Sequence, residues 1–286
     1  MGYIVKYTKD PNLILNEAER FLNTDPVQNN LILTILKYGV DEDKVGGYWI
    51  VYDGSNVVGV CVQPHVGSRG ITSSMPFEAV QSLVEDIVVS NIHFTGIGGE
   101  VSVTANFAGE WGEKNKSPVI PFLGLRLYKL ECVKPITSNN GYLRNASSDN
   151  RELLVDWLYD FTVEIGVYQE SSDPQILLTR KNETSEFIDR NISAGNVWLW
   201  ENEEPVSMVI RTPEVYGVVR LEKIYTPAEQ RNMGYATSCV GQISEIIHNE
   251  GYQCILYTDL NNPVSNTIYR KIGYNAIAEI LQYRFE

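Results

Sequence analysis

Cysteine and histidine are scarce in this chain: its 286 residues hold four of the first and three of the second. Cys61, Cys132, Cys239 and Cys254 are scattered, form no Cys-x-x-Cys pair and have no histidine close enough in sequence to suggest a zinc site. No metal is expected, and the thiols read as reduced and mostly buried. No Ser/His/Asp arrangement declares itself either; His248 falls near the end of a helical pattern, where a positive charge suits the helix dipole. Long apolar runs are missing as well. None approaches the roughly 20 residues that cross a bilayer. The opening MGYIVKYTKD lacks the cationic start, apolar core and cleavage site of a secretory signal, so the expectation is a cytoplasmic protein with no membrane partner. Basic charge is also short: 23 Lys and Arg face 36 Asp and Glu, net −13, which argues against nucleic acid as a partner. The deficit is uneven, with 11 basic residues against 15 acidic ones up to residue 140 and 12 against 21 beyond it, or −4 and −9. An acidic C-terminal half suits a cationic amine, besides serving as ordinary hydrated surface.

What is present is a globular composition, 43% hydrophobic and 21% charged, over a length that suits two domains. The stretch KPITSNNG at 134–141 is polar, contains proline and glycine, and lies between regular patterns, which places a boundary there: residues 1–138 and 139–286. Each half finishes on an alternating strand rich in Leu and Tyr, LRLYKLECV at 125–133 and ILQYRFE at 280–286. That echo suggests two diverged copies of one architecture. In the first half, 11–21 and 27–38 read as helices, the second opened by Asp25 and Pro26. A hairpin is expected over 48–52 and 57–62 and a helix over 76–90. Gly96-Ile97-Gly98-Gly99 has no lysine at P-loop spacing and reads as a loop or helix cap. In the second half, a helix opened by Asp149 and Arg151 carries Leu153, Leu154, Trp157, Leu158 and Phe161 on a core-facing stripe, and another covers 185–193. Strand-like runs at 196–201, 205–211 and 218–225 precede a long helix, a strand at 253–258, a helix at 265–271 and closing strands. The class is α+β around a mixed, mostly antiparallel sheet flanked by helices.

Two stretches carry chemistry. Arg231-Asn232-Met233-Gly234-Tyr235-Ala236 lies between the strand ending at Tyr225 and a helix whose stripe is Cys239, Val240, Ile243, Ile246 and Ile247. Unpaired amides and the dipole at a helix N-terminus hold an anion without basic side chains, and Gly234 and Ala236 let a large phosphate approach the main chain. The turn reads as a pyrophosphate cradle, although a lone glycine-bearing turn is more often simply the start of a helix. The second stretch, NNPVSNTIYRKIGY at 261–274, follows the next strand, with Ser265 read as a helix cap.

Together these stretches resemble the GNAT superfamily of N-acetyltransferases. RNMGYA matches its Arg/Gln-x-x-Gly-x-Gly/Ala signature, and NNPVSNTIYRKIGY is similar to its second stretch, Asn-x-x-(Ala/Ser)-x-x-x-Tyr-x-x-x-Gly-(Phe/Tyr), in the right order. The likeness covers about residues 142–286. By element order alone, the first half resembles the degenerate N-terminal copy of tandem GNAT proteins, which has lost the cofactor signature. The resemblance implies a GNAT fold in two copies and acetyl-CoA as cosubstrate, with no metal. It also implies acetyl transfer to a primary amine, small molecule or peptide, by direct attack in a ternary complex. The amides of Arg231, Asn232, Met233, Gly234, Tyr235 and Ala236, with the Thr237 hydroxyl, would hold the pyrophosphate. Ile224 and Tyr225 would offer main-chain groups to the pantetheine arm, Asn261 or Asn262 would reach the same arm, and Ser265 or Asn266 the cofactor near the following helix. Tyr269 takes the family's tyrosine position, protonating or hydrogen-bonding the departing thiolate. Glu222, two residues before Ile224 on the same strand face, is the candidate general base, with a partner role toward Lys223 or Arg220 as the plainer alternative. A rival from another class is a GNAT fold that binds acyl-CoA without turnover, as a regulatory or interaction module. A P-loop or Rossmann enzyme is disfavoured because neither glycine pattern has its required neighbours. No pattern sets the number of subunits.

Overall fold

In the computed structural model, residues 2–39, 45–136, 139–168 and 171–286 are described. The first half contributes strands β1 (Ile4–Thr8), β2 (Val45–Asp53), β3 (Asn56–His65), β4 (Gly70–Thr72), β5 (Gly96–Glu100) and β6 (Val119–Leu130). The second contributes β7 (Tyr142–Asn145), β8 (Val197–Asn202), β9 (Glu204–Arg211), β10 (Val218–Tyr225), β11 (Gln253–Asp259) and β12 (Tyr274–Phe285). All join one sheet in the order β1-β2-β3-β4-β5-β12-β6-β11-β10-β9-β8-β7. Pairing is parallel only at β4–β5 and β10–β11. The order reads alike from either end. Each half lays down five strands, and then the two last strands change places: β12 lies against β5, β6 lies against β11, and the two pair with each other from Tyr274↔Leu130 to Phe285↔Val119. The single sheet therefore runs across the boundary expected at 138/139 through these exchanged strands.

Alternation along the strands sorts the core by face. Trp49 and Val51 pack with α3 (Phe77–Val89) and α4 (Val101–Asn115), while Tyr48 and Ile50 between them pack with α1 (Pro11–Leu22) and α2 (Asn30–Tyr38). In the second half Trp200 packs with α7 (Tyr235–Asn249) and α8 (Pro263–Ile272), and Leu199 with α5 (Arg151–Glu164) and α6 (Pro174–Ser193). Tyr274 of β12 belongs to the α7/α8 cluster and Tyr283 and Phe285 of the same strand to the α3/α4 cluster. Those four helices therefore share one face, and α1, α2, α5 and α6 share the other. Among the described residues no helix is long and apolar enough to cross a membrane.

Several local expectations are corrected. Gly96–Gly99 is a strand, not a loop: a Cβ on Gly96 would lie 2.1 Å from the Tyr283 carbonyl oxygen and one on Gly99 2.4 Å from Thr72 Oγ1, so close backbone approach demands glycine inside a sheet. The helix expected from residue 27 starts at Asn30, because Asp25 accepts from the Gln28 amide in a turn ahead of it. The helix expected over 185–193 begins eleven residues earlier, where Asp173 caps the Gln175 amide and Pro174 sits at the first helical position. At α8 the cap is Asn262, whose Oδ1 accepts from the Ser265 amide at 3.0 Å, and not Ser265. The closing strands are one twelve-residue strand. β1, β4, β7 and α4 have no counterpart in the sequence pattern.

Candidate functional site

The site is built where β10 leaves β11. Their parallel pairing runs from Val218↔Gln253 to Leu221↔Leu256. Beyond it β10 keeps only β9, with a bulge between Glu222 and Tyr225 and Lys223 in the left-handed region at φ 50°. Ser207 of β9 donates to the Tyr225 carbonyl at 3.1 Å and lies 2.9 Å from Thr226 Oγ1, which pins the diverging strand end. A wedge opens between β10 and β11, bordered by the main chain of residues 222–225.

Residues 226–234 carry the chain from this wedge to α7. Arg231 fastens the loop with its side chain: Nε donates to the Thr226 carbonyl at 2.9 Å, Nη2 to Glu164 of α5 at 2.7 Å, and the guanidinium stands 5.8 Å from the centroid of the Tyr225 ring. Asn232 and Gly234 are both left-handed, at φ 63° and 78°, and residues 231–234 are exposed. Gly234 caps α7 with no side-chain hydrogen bond. An exposed turn thus leads into the first turn of α7, where Tyr235 is buried and its hydroxyl accepts from Asn202 Nδ2 at 3.0 Å. Ala236 and Thr237 are half-buried. Ile136 and Asn139, from the stretch between the halves, lie against this helix. Ile136 occupies the space of any side chain at Gly241, its Cδ1 1.8 Å from where a Cβ would be, and Asn139 Nδ2 is 2.7 Å from the Cβ position of Gly234. The Asn139 amide also donates to Ser238 Oγ at 3.1 Å. Asn139 is a neighbour of this turn that no sequence signal singles out.

Tyr269 reaches the region from α8. Its ring lies 5.9 Å from Tyr128 and 6.1 Å from Tyr274 by centroid, in the same cluster as Tyr235, Cys239 and Val240 of α7, and only 5% of it is exposed. Burial raises its hydroxyl pKa to about 12 against a smaller lowering by a hydrogen bond from Ser265; Tyr274, more confined still, is raised further. Tyr269 is therefore a neutral phenol at physiological pH, on the same sheet face as α7. Because both phenols have folded pKa values above the ordinary value of about 10, the fold favours their protonated forms: stability present below pH 10 is lost as pH rises through about 12. Spectrophotometric titration should accordingly find these two tyrosines ionising only as circular dichroism reports unfolding. Smooth ionisation of all 17 tyrosines near pH 10 in a folded protein would contradict the burial.

The asparagines of the second stretch divide by environment. Asn266 is buried and engaged at both atoms: Oδ1 accepts from the Tyr128 hydroxyl at 2.8 Å and from Arg126 at 3.4 Å, while Nδ2 donates to the Asp259 and Asn262 carbonyls at 3.0 and 2.6 Å. It fastens α8 to β6 and β11. Asn262 is the helix cap, and Asn261, exposed, directs its amide N–H to Asp259 Oδ1 at 2.8 Å. Ser265 is half-buried beside Tyr269. On β10, Ile224 packs toward the α7 cluster and Tyr225 toward Trp157 and Phe161 of α5.

Glu222 does not share the face of Ile224, as its spacing predicts: the bulge breaks the two-residue alternation, and Glu222 lies on the side of α2, held by an arginine. Arg220, its neighbour at the same-face spacing, is buried and donates through Nη2 to Glu222 at 3.3 Å and through Nη1 to Asn30 Oδ1 of α2 at 2.5 Å. The partner role weighed for Glu222 is thus real for Arg220, while Lys223 turns toward the Phe161 ring, 5.6 Å from its centroid. The first half reaches the wedge through Asn30, whose Nδ2 is buried without a partner. Sequence could pair Arg220 with Glu222 by period two, but nothing local tied Asn30 to a strand 190 residues away. Around Tyr225 the field is negative. Burial raises the Asp160 pKa, and Asp156, Glu164 and Glu229 raise it further.

Residues 202–284 match the family model described as FR47-like protein. No curated protein sequence matches the chain. Among solved structures, an acetyltransferase of the GNAT family from Colwellia psychrerythraea superposes with a TM-score of 0.61 at 13% identity, covering 99% of this chain and 100% of that one. A GCN5-related N-acetyltransferase from Sphaerobacter thermophilus gives 0.62 at 10%, covering 99% and 95%, and a tandem GNAT protein from the clavulanic acid biosynthesis pathway gives 0.57 at 9%, covering 98% of each chain. The chain has the fold of these GNAT structures along its length, and the family-model match lies within its C-terminal half, over residues 202–284.

Proposed function

We propose that this protein is an N-acetyltransferase that moves an acetyl group from acetyl-CoA to a primary amine by direct attack. The observation that carries the reading is a convergence: an α7 N-terminus with no side-chain cap follows the β10/β11 wedge, and the buried phenol of Tyr269 lies on the α7 side of the sheet in the same cluster as Tyr235. In this reading the amides of residues 231–236 and the Thr237 hydroxyl hold the pyrophosphate. The open main chain of Ile224 and Tyr225 receives the pantetheine arm, with Asn261 and Ser265 as polar neighbours. Asn266 and Asn262 support the loop that presents them, since their side chains already have protein partners.

The chemistry then follows from charge. A neutral amine attacks the thioester carbonyl, a main-chain N–H near Tyr225 polarises that carbonyl, and Tyr269 gives its proton to the thiolate as the C–S bond breaks. Glu222, held by Arg220 and through it by Asn30, takes the amine proton from the opposite face. The acidic residues around Tyr225 favour a cationic acceptor. The cytoplasm is the compartment that supplies acetyl-CoA for such a reaction.

Release of free CoA thiol is the direct assay, run over a panel of polyamines, amino acids, aminoglycosides and peptide N-termini. Acceptor-dependent release supports the proposal; acetyl-CoA binding with no release on any acceptor makes the protein a binding module instead. The cradle has its own test. Gly234→Val places a β-branched residue at φ 78° and against Asn139. We expect acetyl-CoA affinity by isothermal titration to fall at least about tenfold, the scale of one lost charge-assisted hydrogen bond. Unchanged affinity would move the pyrophosphate elsewhere.

A further inference from the structure

The first half presents an arrangement that acyl transfer does not use. Arg69, just ahead of β4, and Arg284 of β12 both stack on Phe122 of β6, their guanidinium carbons 5.1 and 3.5 Å from the ring centroid. Arg69 Nη1 donates to Gln282 Oε1, but its Nε is buried with no partner. Burial lowers the Arg69 pKa, and the charge of Arg284 lowers it further, so the two cations repel each other in a partly desolvated place. The strand beneath is bare. Gln282 pairs with Gly98 and Arg284 with Gly96, and a Cβ on Gly98 would meet Gln282 Cγ at 3.3 Å and Arg69 Cδ at 3.7 Å.

Two carboxylates on the neighbouring strands are committed elsewhere. Glu100 accepts from the amide and hydroxyl of Ser102 at the start of α4, at 3.0 and 2.8 Å. Glu279 pairs with Arg126 at 2.7 Å on the other face of the sheet. Among the described residues neither Arg69 nor Arg284 has a salt-bridge partner, although acidic residues outnumber basic ones 36 to 23. Two adjacent guanidiniums without an acid, one with an orphaned buried N–H, are unfavourable alone and become favourable around a bound oxyanion, which guanidiniums grip with paired hydrogen bonds.

We propose that Arg69, Arg284 and Gln282 form an oxyanion-binding site, walled by Phe122 and floored by Gly96 and Gly98, for a ligand bearing a phosphate or carboxylate group. It lies on the sheet face opposite α3 and α4 and owes nothing to the cofactor cradle.

The test is isothermal titration of the full chain at low ionic strength with inorganic phosphate and, separately, with succinate, repeated on Arg69→Gln and Arg284→Gln, with melting temperatures as the check of folding. At least one ion should bind, and its affinity should fall at least about tenfold in Arg284→Gln, as expected for one lost charge-assisted contact. Phosphate binding alone identifies a phosphoryl ligand, and succinate binding alone a carboxylate. Among the described residues the Arg284 guanidinium has no hydrogen-bond partner to lose, so this variant decides the matter even where Arg69→Gln fails to fold. Binding by neither ion, or undiminished binding in Arg284→Gln, which would place the ion elsewhere, overturns the site.

Discussion

Tyr269→Phe should lower kcat by about 10²-fold or more, the range for losing a positioned general acid, while acetyl-CoA affinity changes by less than about threefold. The reasoning is geometric. The ring fills a pocket against Tyr128 and Tyr274, and phenylalanine keeps that packing. What disappears is the hydroxyl and its hydrogen bond with Ser265, worth about 1 kcal/mol or less of stability. Without the proton the sulfur must leave as a bare thiolate in a buried site. A melting temperature near that of the parent chain, with kcat collapsed and binding retained, is the expected pattern in steady-state kinetics and titration together. A kcat within a few-fold of the parent would remove Tyr269 from the chemistry.

The second large effect concerns the exchanged strands. A chain of residues 139–286 alone contains both sequence motifs but lacks β6, which in the full protein pairs with β11 on one side and β12 on the other. Leu127, Tyr128 and Leu130 of β6 are buried at 0%, 0% and 3% exposure. At roughly 1.5–3 kcal/mol for each buried side chain, their loss is comparable to the 5–15 kcal/mol that holds an entire domain. Tyr128 also supports Tyr269 by its ring and Asn266 by its hydroxyl. Residues 139–286 are therefore expected to lack a cooperative urea transition and to bind no acetyl-CoA, whereas residues 117–286, with β6 restored, should recover both in part. A 139–286 chain that unfolds cooperatively with the parent's stability would show the exchange to be dispensable.

These two predictions draw on different levels of legibility. The strand at 218–225, the glycine-bearing turn at 231–234 and α7 could be read locally, because apolar period, glycine and caps all lie within thirty residues. The second stretch was legible for the same reason, except that Asn262 and not Ser265 caps α8. The exchange of β6 and β12 was hidden: both were recognisable as strands, but which neighbour a strand takes is decided by long-range pairing that a period-two pattern does not encode. Gly96–Gly99 misled because glycine usually marks a loop, and only the passing main chain of Tyr283 explains a glycine strand. Asn30 and Asn139 were invisible for a related reason. Each comes to the site from across the fold, from the first half or the linker, and carries no local signature of that approach. Asn266 stood in a motif position, yet the hydroxyl of Tyr128 that it accepts belongs to the exchanged strand.

The account rests on where acetyl-CoA lies, and a crystal structure of the complex measures that directly. The prediction is a pyrophosphate within hydrogen-bonding distance of the amides of residues 232–236, the pantetheine in the wedge past Leu221, and the sulfur within reach of the Tyr269 hydroxyl. Cofactor density anywhere else on the sheet, or a sulfur on the face away from Tyr269, would contradict it.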